Sequence, residues 1–196
     1  DEAGPGRMDP PRLKCTRNSF TPDQVKAFSE GKTHACFGPG YELADTHTRT
    51  PAMSGGKMKF IDHVTHFDTQ GGPWGRGYLR AETRLDPRDW FFDGHFKNDP
   101  CMPGTLMFEA TLQTLAFYMT GMGFTLDNDG YRFEPVTNER YKLRCRGQAI
   151  PKNKNLVYEV FVREVQDGPT PTVFADLLVT VDGLKAFHAR RVGLRL

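Results

Sequence analysis

No uninterrupted apolar stretch in this 196-residue chain approaches the length that spans a bilayer, so membrane insertion is not expected. Runs of Lys and Arg are missing too, and a net charge of +2 supplies no dedicated nucleic-acid surface. The four cysteines (Cys15, Cys36, Cys101, Cys145) are scattered, with no C-x-x-C pair. They read as reduced thiols, and with no secretory pattern at the start they point to a cytoplasmic protein. Internal repeats, a dinucleotide fingerprint and a phosphate loop are also absent. Ser54-Gly55-Gly56-Lys57 lacks the required Gly and Ser/Thr positions and precedes a strand pattern, not a helix. His63-x-x-His66 lies on a strand pattern, where an odd offset sends the two rings to opposite faces, and no carboxylate or thiol cluster has zinc-like spacing.

What the chain does have is one long apolar segment behind a short, proline-bracketed loop. Residues 104–120 hold Leu106, Met107, Phe108, Ala110, Leu112, Leu115, Ala116, Phe117 and Met119, leaving almost no polar face. Pro103-Gly104 opens this helix, and Gly121 and Gly123 are stop signals. A helix apolar nearly all round is buried. Glu109 and Gln113 interrupt it four residues apart, on one face. A carboxyl group in such surroundings is either a first-turn acid favoured by the helix dipole or a general acid prepared by burial.

Around the helix the elements fall in a simple order. Thr21, Pro22 and Gln24 form a capping-box start for a helix over 22–30. Residues 41–56 read as irregular chain. Strands are expected over 58–68 and 77–85, joined by the turn at 71–75. Further strands are expected over 132–136, 139–150, 156–165, 172–181 and 187–196, with Pro135 marking an edge or bulge. Residues 1–18, rich in Pro and Gly over their first eleven positions, read as a linker or extension, and 19–196 as one domain. Composition and periodicity alone give an α+β domain with one buried helix.

The stretch Asp89-Trp90-Phe91-Phe92-Asp93-Gly94-His95-Phe96-Lys97-Asn98-Asp99-Pro100-Cys101-Met102-Pro103-Gly104, with Glu109 and Gln113 following, is more specific. It resembles the bacterial β-hydroxyacyl-thioester dehydratases of the hotdog fold. It is most like the β-hydroxydecanoyl-thioester dehydratase/isomerase and the dehydratase domains of polyunsaturated fatty acid and polyketide synthases. The likeness runs from about Phe20 to the end and includes Phe117-Tyr118; Glu109 departs from the Asp of the dehydratase/isomerase, although other hotdog dehydratases carry Glu.

The resemblance implies a single hotdog, a long central helix wrapped by a curled antiparallel sheet. It implies dehydration of β-hydroxyacyl thioesters, carried on acyl carrier protein, to trans-2-enoyl thioesters, with trans-2/cis-3 isomerisation left open. His95 would be the base and Glu109 the acid. Gly104 would supply an oxyanion donor and Gln113 would position Glu109. Trp90, Phe91, Phe92, Phe96, Cys101, Met102, Phe108, Leu112 and Phe117 would wall an acyl tunnel, with Cys101 packing and not attacking. No cofactor is needed, since the phosphopantetheine arm arrives on the carrier. The site would be shared across a homodimer or with another hotdog in a synthase. The other readings are an inert hotdog that completes a neighbour's site or binds acyl chains, and a hotdog thioesterase.

Overall fold

The computed structural model describes residues 15–196. Most of the expected linker therefore lies outside the described residues. Its last four positions run against the domain: the Asn18 carbonyl accepts from Phe67 N–H at 2.8 Å, and the Arg17 guanidinium donates to the Cys36 carbonyl.

Helix α1 (Pro22–Ser29) starts as its sequence dictates, with Thr21 Oγ1 accepting from Gln24 N–H and Gln24 Oε1 accepting from Thr21 N–H. Helix α2 (Thr33–Phe37) follows, and residues 42–46 of the expected irregular region form a 3-10 helix. Strands β1 (His63–Asp68) and β2 (Tyr78–Arg84) make the hairpin. Next come a short helix α3 (Trp90–Asp93) and the long helix α4 (Gly104–Gly121). The chain then forms β3 (Glu134–Pro135), β4 (Lys142–Cys145), β5 (Asn155–Gln166), β6 (Thr172–Val181) and β7 (Leu184–Arg195).

All neighbours in the sheet are antiparallel, in the order β1-β2-β5-β6-β7-β3, with β4 also on the outer side of β7. Alternate residues of β5 (Leu156, Tyr158, Val160, Val162) and of β6 (Leu177, Val179, Val181) are buried, as period-two strands over a core require. Helix α4 packs against that inner face: thirteen of its eighteen residues are buried. Its buried hydroxyls bond back to the preceding turn, Thr114 to the Ala110 carbonyl at 2.8 Å and Thr120 to Ala116 at 3.0 Å. One helix wrapped by a curled antiparallel sheet is the hotdog arrangement that the resemblance implies. No helix among the described residues is long and apolar enough to cross a membrane.

At its far end α4 closes against aromatic rings. Phe117 sits among Phe20, Phe28, Phe37 and Phe67, with centroid distances of 4.8, 5.3, 4.8 and 6.2 Å. Gly121 lets this cluster approach, because a Cβ there would come within 2.3 Å of the Phe67 ring. Gly123, at φ 82°, turns the chain out of the helix.

Three strand expectations are corrected. Residues 58–62 are not strand, because the backbone at 58 and 60 bonds to the Gln113 side chain instead of a neighbouring strand. A bulge between Val64 and His66 keeps Val64 and Phe67 inward, so His63 and His66 both sit outside the core instead of on opposite faces. Of the long 139–150 stretch only Lys142–Cys145 form regular strand, and all four are exposed.

Candidate active site

The site is built where α3, the following loop and the start of α4 meet residues 56–60. The loop is held by its own backbone. Phe96 and Asp99 exchange N–H···O bonds of 3.1 and 3.2 Å, with Asn98 at φ 65° between them. Cys101 N–H then donates to the His95 carbonyl at 2.7 Å, and Met102 N–H to the Ala149 carbonyl at 2.8 Å. The His95–Phe96 peptide bond is cis.

This scaffold fixes the His95 ring. Nδ1 lies 3.2 Å from the Cys101 carbonyl oxygen and 3.4 Å from the Cys101 sulfur, and the Phe96 ring lies against the imidazole at 4.0 Å between centroids. A carbonyl only accepts, so the hydrogen sits on Nδ1; in the neutral ring Nε2 keeps its lone pair. The Cys101 carbonyl is a positioning group that the sequence does not reveal. Burial pushes the Cys101 thiol up, and the charges of Asp99 and Cys145 add to this. It therefore stays a thiol near neutral pH, a poor nucleophile.

Glu109, half-buried and not enclosed as the apolar helix suggests, is held from one turn along. Gln113 donates from Nε2 to Glu109 Oε1 at 3.1 Å and to the Met58 carbonyl at 2.6 Å, and its Oε1 accepts from Phe60 N–H at 3.0 Å. A nearly inaccessible amide thus satisfies two backbone groups of a non-strand segment and orients a carboxylate. The i, i+4 spacing made the Gln113–Glu109 contact readable from sequence; the anchoring to 58 and 60 was not. Among the described residues no hydrogen bond or ion pair joins Glu109 to His95.

Gly104 begins α4. Its N–H and that of Thr105 find no acceptor among the described residues, as first-turn donors of a helix do not, and they stand at the positive end of its dipole. Cys145 of β4 sits beside this turn: a Cβ at position 104 would lie 3.2 Å from its sulfur.

The aromatic and apolar residues divide among several places. Trp90, Phe91 and Met102 share a cavity of about 230 Å³ with Phe60, Leu156 and Tyr158. Among the described residues the buried Tyr158 hydroxyl there has no hydrogen-bond partner. Phe92 is buried against Phe91 at 4.7 Å. Phe96 is 59% exposed. Phe108 stacks on Tyr141 at 5.7 Å and meets Phe187 of β7 at 6.0 Å. Leu112 is buried in α4, and Phe117 belongs to the distant aromatic cluster. No group of three or more His, Cys, Asp or Glu side chains that could hold a metal ion occurs among the described residues.

Several solved structures share the chain's general shape at low identity. A dehydratase heterocomplex, ApeI:P from Xenorhabdus doucetiae, is 12% identical, covering 72% of this chain and 86% of that one at a TM-score of 0.49. A conserved protein of Pseudomonas aeruginosa, PA5202, is 11% identical over 61% and 81% of the two chains at 0.41. A candidate thioesterase from Shewanella oneidensis is 12% identical over 60% and 74% at 0.38. Such distant likenesses decide nothing about activity. Kinship is decided by the FabA-like domain model, which matches residues 53–190, a span that holds the His95 loop, α4 and all of the sheet but the end of β7: this chain belongs to the FabA-like domain family.

Proposed function

We propose that the chain dehydrates β-hydroxyacyl thioesters carried on acyl carrier protein to trans-2-enoyl thioesters. The observation that carries this reading is the separate fixing of two complementary groups beside an open helix N-terminus. His95 is tied at Nδ1, and Glu109 is tied through Gln113. His95 Nε2 takes the proton alpha to the thioester carbonyl, and the electron pair moves onto the carbonyl oxygen. The Gly104 N–H donates to that developing oxyanion. As the enolate collapses, the β-hydroxyl leaves with the proton of Glu109, giving water and the trans-2 double bond. A proton then passes from the imidazolium to the carboxylate, through water, to reset the pair.

That no hydrogen bond or ion pair joins His95 to Glu109 among the described residues favours a site assembled from two hotdogs, each giving one of the groups. Exposed apolar side chains along the β3–β4 edge (Tyr131, Tyr141 and Leu143) are suited to covering by a second copy or another hotdog of a synthase. Fatty-acid or polyketide-type synthesis in the cytoplasm is the corresponding setting, with no prosthetic group required of the domain itself.

The test is product analysis with β-hydroxyacyl thioesters of graded length, on carrier protein and on a simple thiol. Growth of 2-enoyl thioester without release of free thiol supports the reading, and any cis-3 product adds isomerisation to it. Thiol release with no enoyl product would replace it with a thioesterase. Binding without turnover would replace it with an inert, acyl-binding hotdog.

A further inference from the structure

Alternate residues of a strand point away from the core, and on a solvated sheet face those positions are ordinarily polar. On β5 and β6 two of them are apolar, Phe161 and Leu178, both half-buried. The turn between β1 and β2 brings Trp74 beside them. Gly72, Gly75 and Gly77 take positive φ in that turn, and the Tyr118 hydroxyl of α4 donates to the Arg76 carbonyl at 2.6 Å, pinning it from within. The indole is held as well. The Arg163 guanidinium lies over its ring at 4.5 Å and is itself 3.2 Å from Asp176 Oδ1, yet Trp74 stays 40% exposed. Trp74, Phe161 and Leu178 line a cavity of about 270 Å³ with Asp176, Lys185 and His188.

A second cavity adjoins the first. Lys185 and His188 also line a space of about 240 Å³ with Arg144 and Arg146. In register, Lys142 stands opposite Arg190 and Arg144 opposite His188, so the outer face of the β4–β7 pair is basic. Among the described residues Arg144, Arg146 and Lys185 form no ion pair, whereas Arg163, Arg191 and Arg195 nearby each find a carboxylate. His188 stands where the two cavities meet. Burial lowers its proton affinity, Arg190, Lys185 and Arg144 lower it further, and only Asp176 opposes them. A flat apolar site and an anion site thus share a wall.

We propose that the two cavities together bind an adenine nucleoside diphosphate. The base lies against Trp74 on a floor of Phe161 and Leu178, since every base has a π-face that an aromatic side chain can receive. Asp176 reads its edge. Oδ1 of that carboxylate already accepts from Arg163 and, at 2.9 Å, from Arg191 N–H, while Oδ2 has no hydrogen-bond partner among the described residues. One free oxygen suits the single amine of adenine and not the two adjacent donors of guanine. The phosphates meet Arg144, Arg146 and Lys185, the side-chain types that bind phosphate by charge and by planar donor pairs. Leu178 pairs with His188 and His188 with Arg144, so floor and arginine stand two strands, or about 10 Å, apart. That is the order of the separation between a base and the second phosphate of its nucleotide. The face lies across the sheet from α4, so the proposal stands independently of the dehydration chemistry.

The test is calorimetric titration of the full chain with ADP in magnesium-free buffer, beside IDP, adenosine and pyrophosphate. ADP should bind about tenfold or more tightly than adenosine or pyrophosphate, each of which fills one cavity only. IDP carries a carbonyl in place of the amine and should bind about tenfold more weakly than ADP. Trp74→Ala, its fold checked by circular dichroism, should weaken ADP about tenfold or more and leave pyrophosphate unchanged. The Arg144→Gln/Arg146→Gln double variant should weaken both. Bound ADP should also move the His188 imidazole titration, followed by NMR, to higher pH, because a phosphate favours the charged ring. No binding at millimolar ADP overturns the proposal. So does pyrophosphate that binds as tightly as ADP, which would mark a plain anion pocket. Equal affinity for ADP and IDP, measured on the unaltered chain, overturns the reading of adenine by Asp176, and undiminished ADP binding in Trp74→Ala removes the base site.

Discussion

Replacing Gln113 tests whether one buried amide holds the candidate site and the fold together. Gln113 is 2% exposed and makes three hydrogen bonds, two of them to backbone groups that no strand serves. Gln113→Leu keeps the volume and strands the Phe60 N–H, which costs about 1–3 kcal/mol when buried. The Met58 carbonyl lies in a more open segment and adds about 0.5–1.5 kcal/mol. Better transfer of Leu out of water returns part of this, so the net loss is about 2 kcal/mol. For a domain of this size that is a fall of about 4–8 °C in Tm. With a urea dependence of about 2–3 kcal/mol per molar, the midpoint shifts down by nearly 1 M. Glu109→Leu removes only the contact at the half-buried end of the network and should cost under about 1 kcal/mol. Gln113→Glu keeps the acceptor for Phe60 but sets a carboxylate against the Met58 carbonyl and Glu109. Its loss should be largest at neutral pH and shrink as acid protonates the introduced group, because the protonated form supplies a donor. Urea unfolding of the three variants at pH 7 and pH 5 decides the matter. If Gln113→Leu unfolds within 0.5 kcal/mol of the parent, roughly the resolution of the method, the anchoring role is refuted.

Further perturbations follow from the same structure. His95→Ala should abolish dehydration, and Glu109→Gln should lower kcat about 10²–10⁴-fold with little change in Tm; full activity in either variant removes that residue from the mechanism. Mixing the two inactive variants under proven subunit exchange should restore part of the rate if the groups come from different hotdogs; no recovery would return the pair to one chain. Gly121→Ala places a methyl against the Phe67 ring and should destabilise by about 1–3 kcal/mol despite the better helix propensity, as read by thermal melting. Lys142→Glu turns a repulsive cross-strand pair into an attractive one and should stabilise the free chain by about 0.2–1 kcal/mol at low salt, a gain that fades at 1 M NaCl. Because His188 binds its proton less readily in the folded chain than in the unfolded one, it should lower stability as pH falls through about 6.5, and His188→Gln should flatten that slope in pH-dependent urea melts.

Local chemistry made much of this fold readable. The capping box at Thr21 and Gln24, the glycines at 104 and 121, and the β-branched run over 172–181 each carry their boundary in a few adjacent residues. Where long-range partners decide, the sequence pattern misleads. Residues 58–62 alternate like a strand, but their backbone is claimed by a side chain over fifty positions away. One extra residue in β1 undoes the facing of His63 and His66 that a regular strand would impose. The run Trp90-Phe91-Phe92 looks uniform, yet Trp90 is 42% exposed while Phe91 and Phe92 are buried, a division set by the short helix α3. At the site, His95, Glu109 and Gln113 stand out as polar residues in apolar surroundings. The Cys101 carbonyl and the Cys145 sulfur are invisible to such reasoning, because a backbone acceptor has no sequence signature and β4 comes to Gly104 only through the sheet.

The strand order also has a consequence for how the chain is made. β2 pairs with β5, joining Arg84 to Asn155 and Tyr78 to Phe161, so the hairpin and α4 leave the ribosome well before the strands that cover them. At about 5–20 residues per second, the open edge of β2 and the apolar flank of α4 wait on the order of 4–15 s for β5. During that interval the nascent chain offers unpaired backbone beside hydrophobic surface, the combination that invites association between neighbours on a polysome. Chains stalled before residue 155 should therefore bind holdase chaperones and resist release. Extending the stall point past residue 196, with enough linker to clear the exit tunnel, should free them; equal chaperone binding at both lengths would contradict this picture.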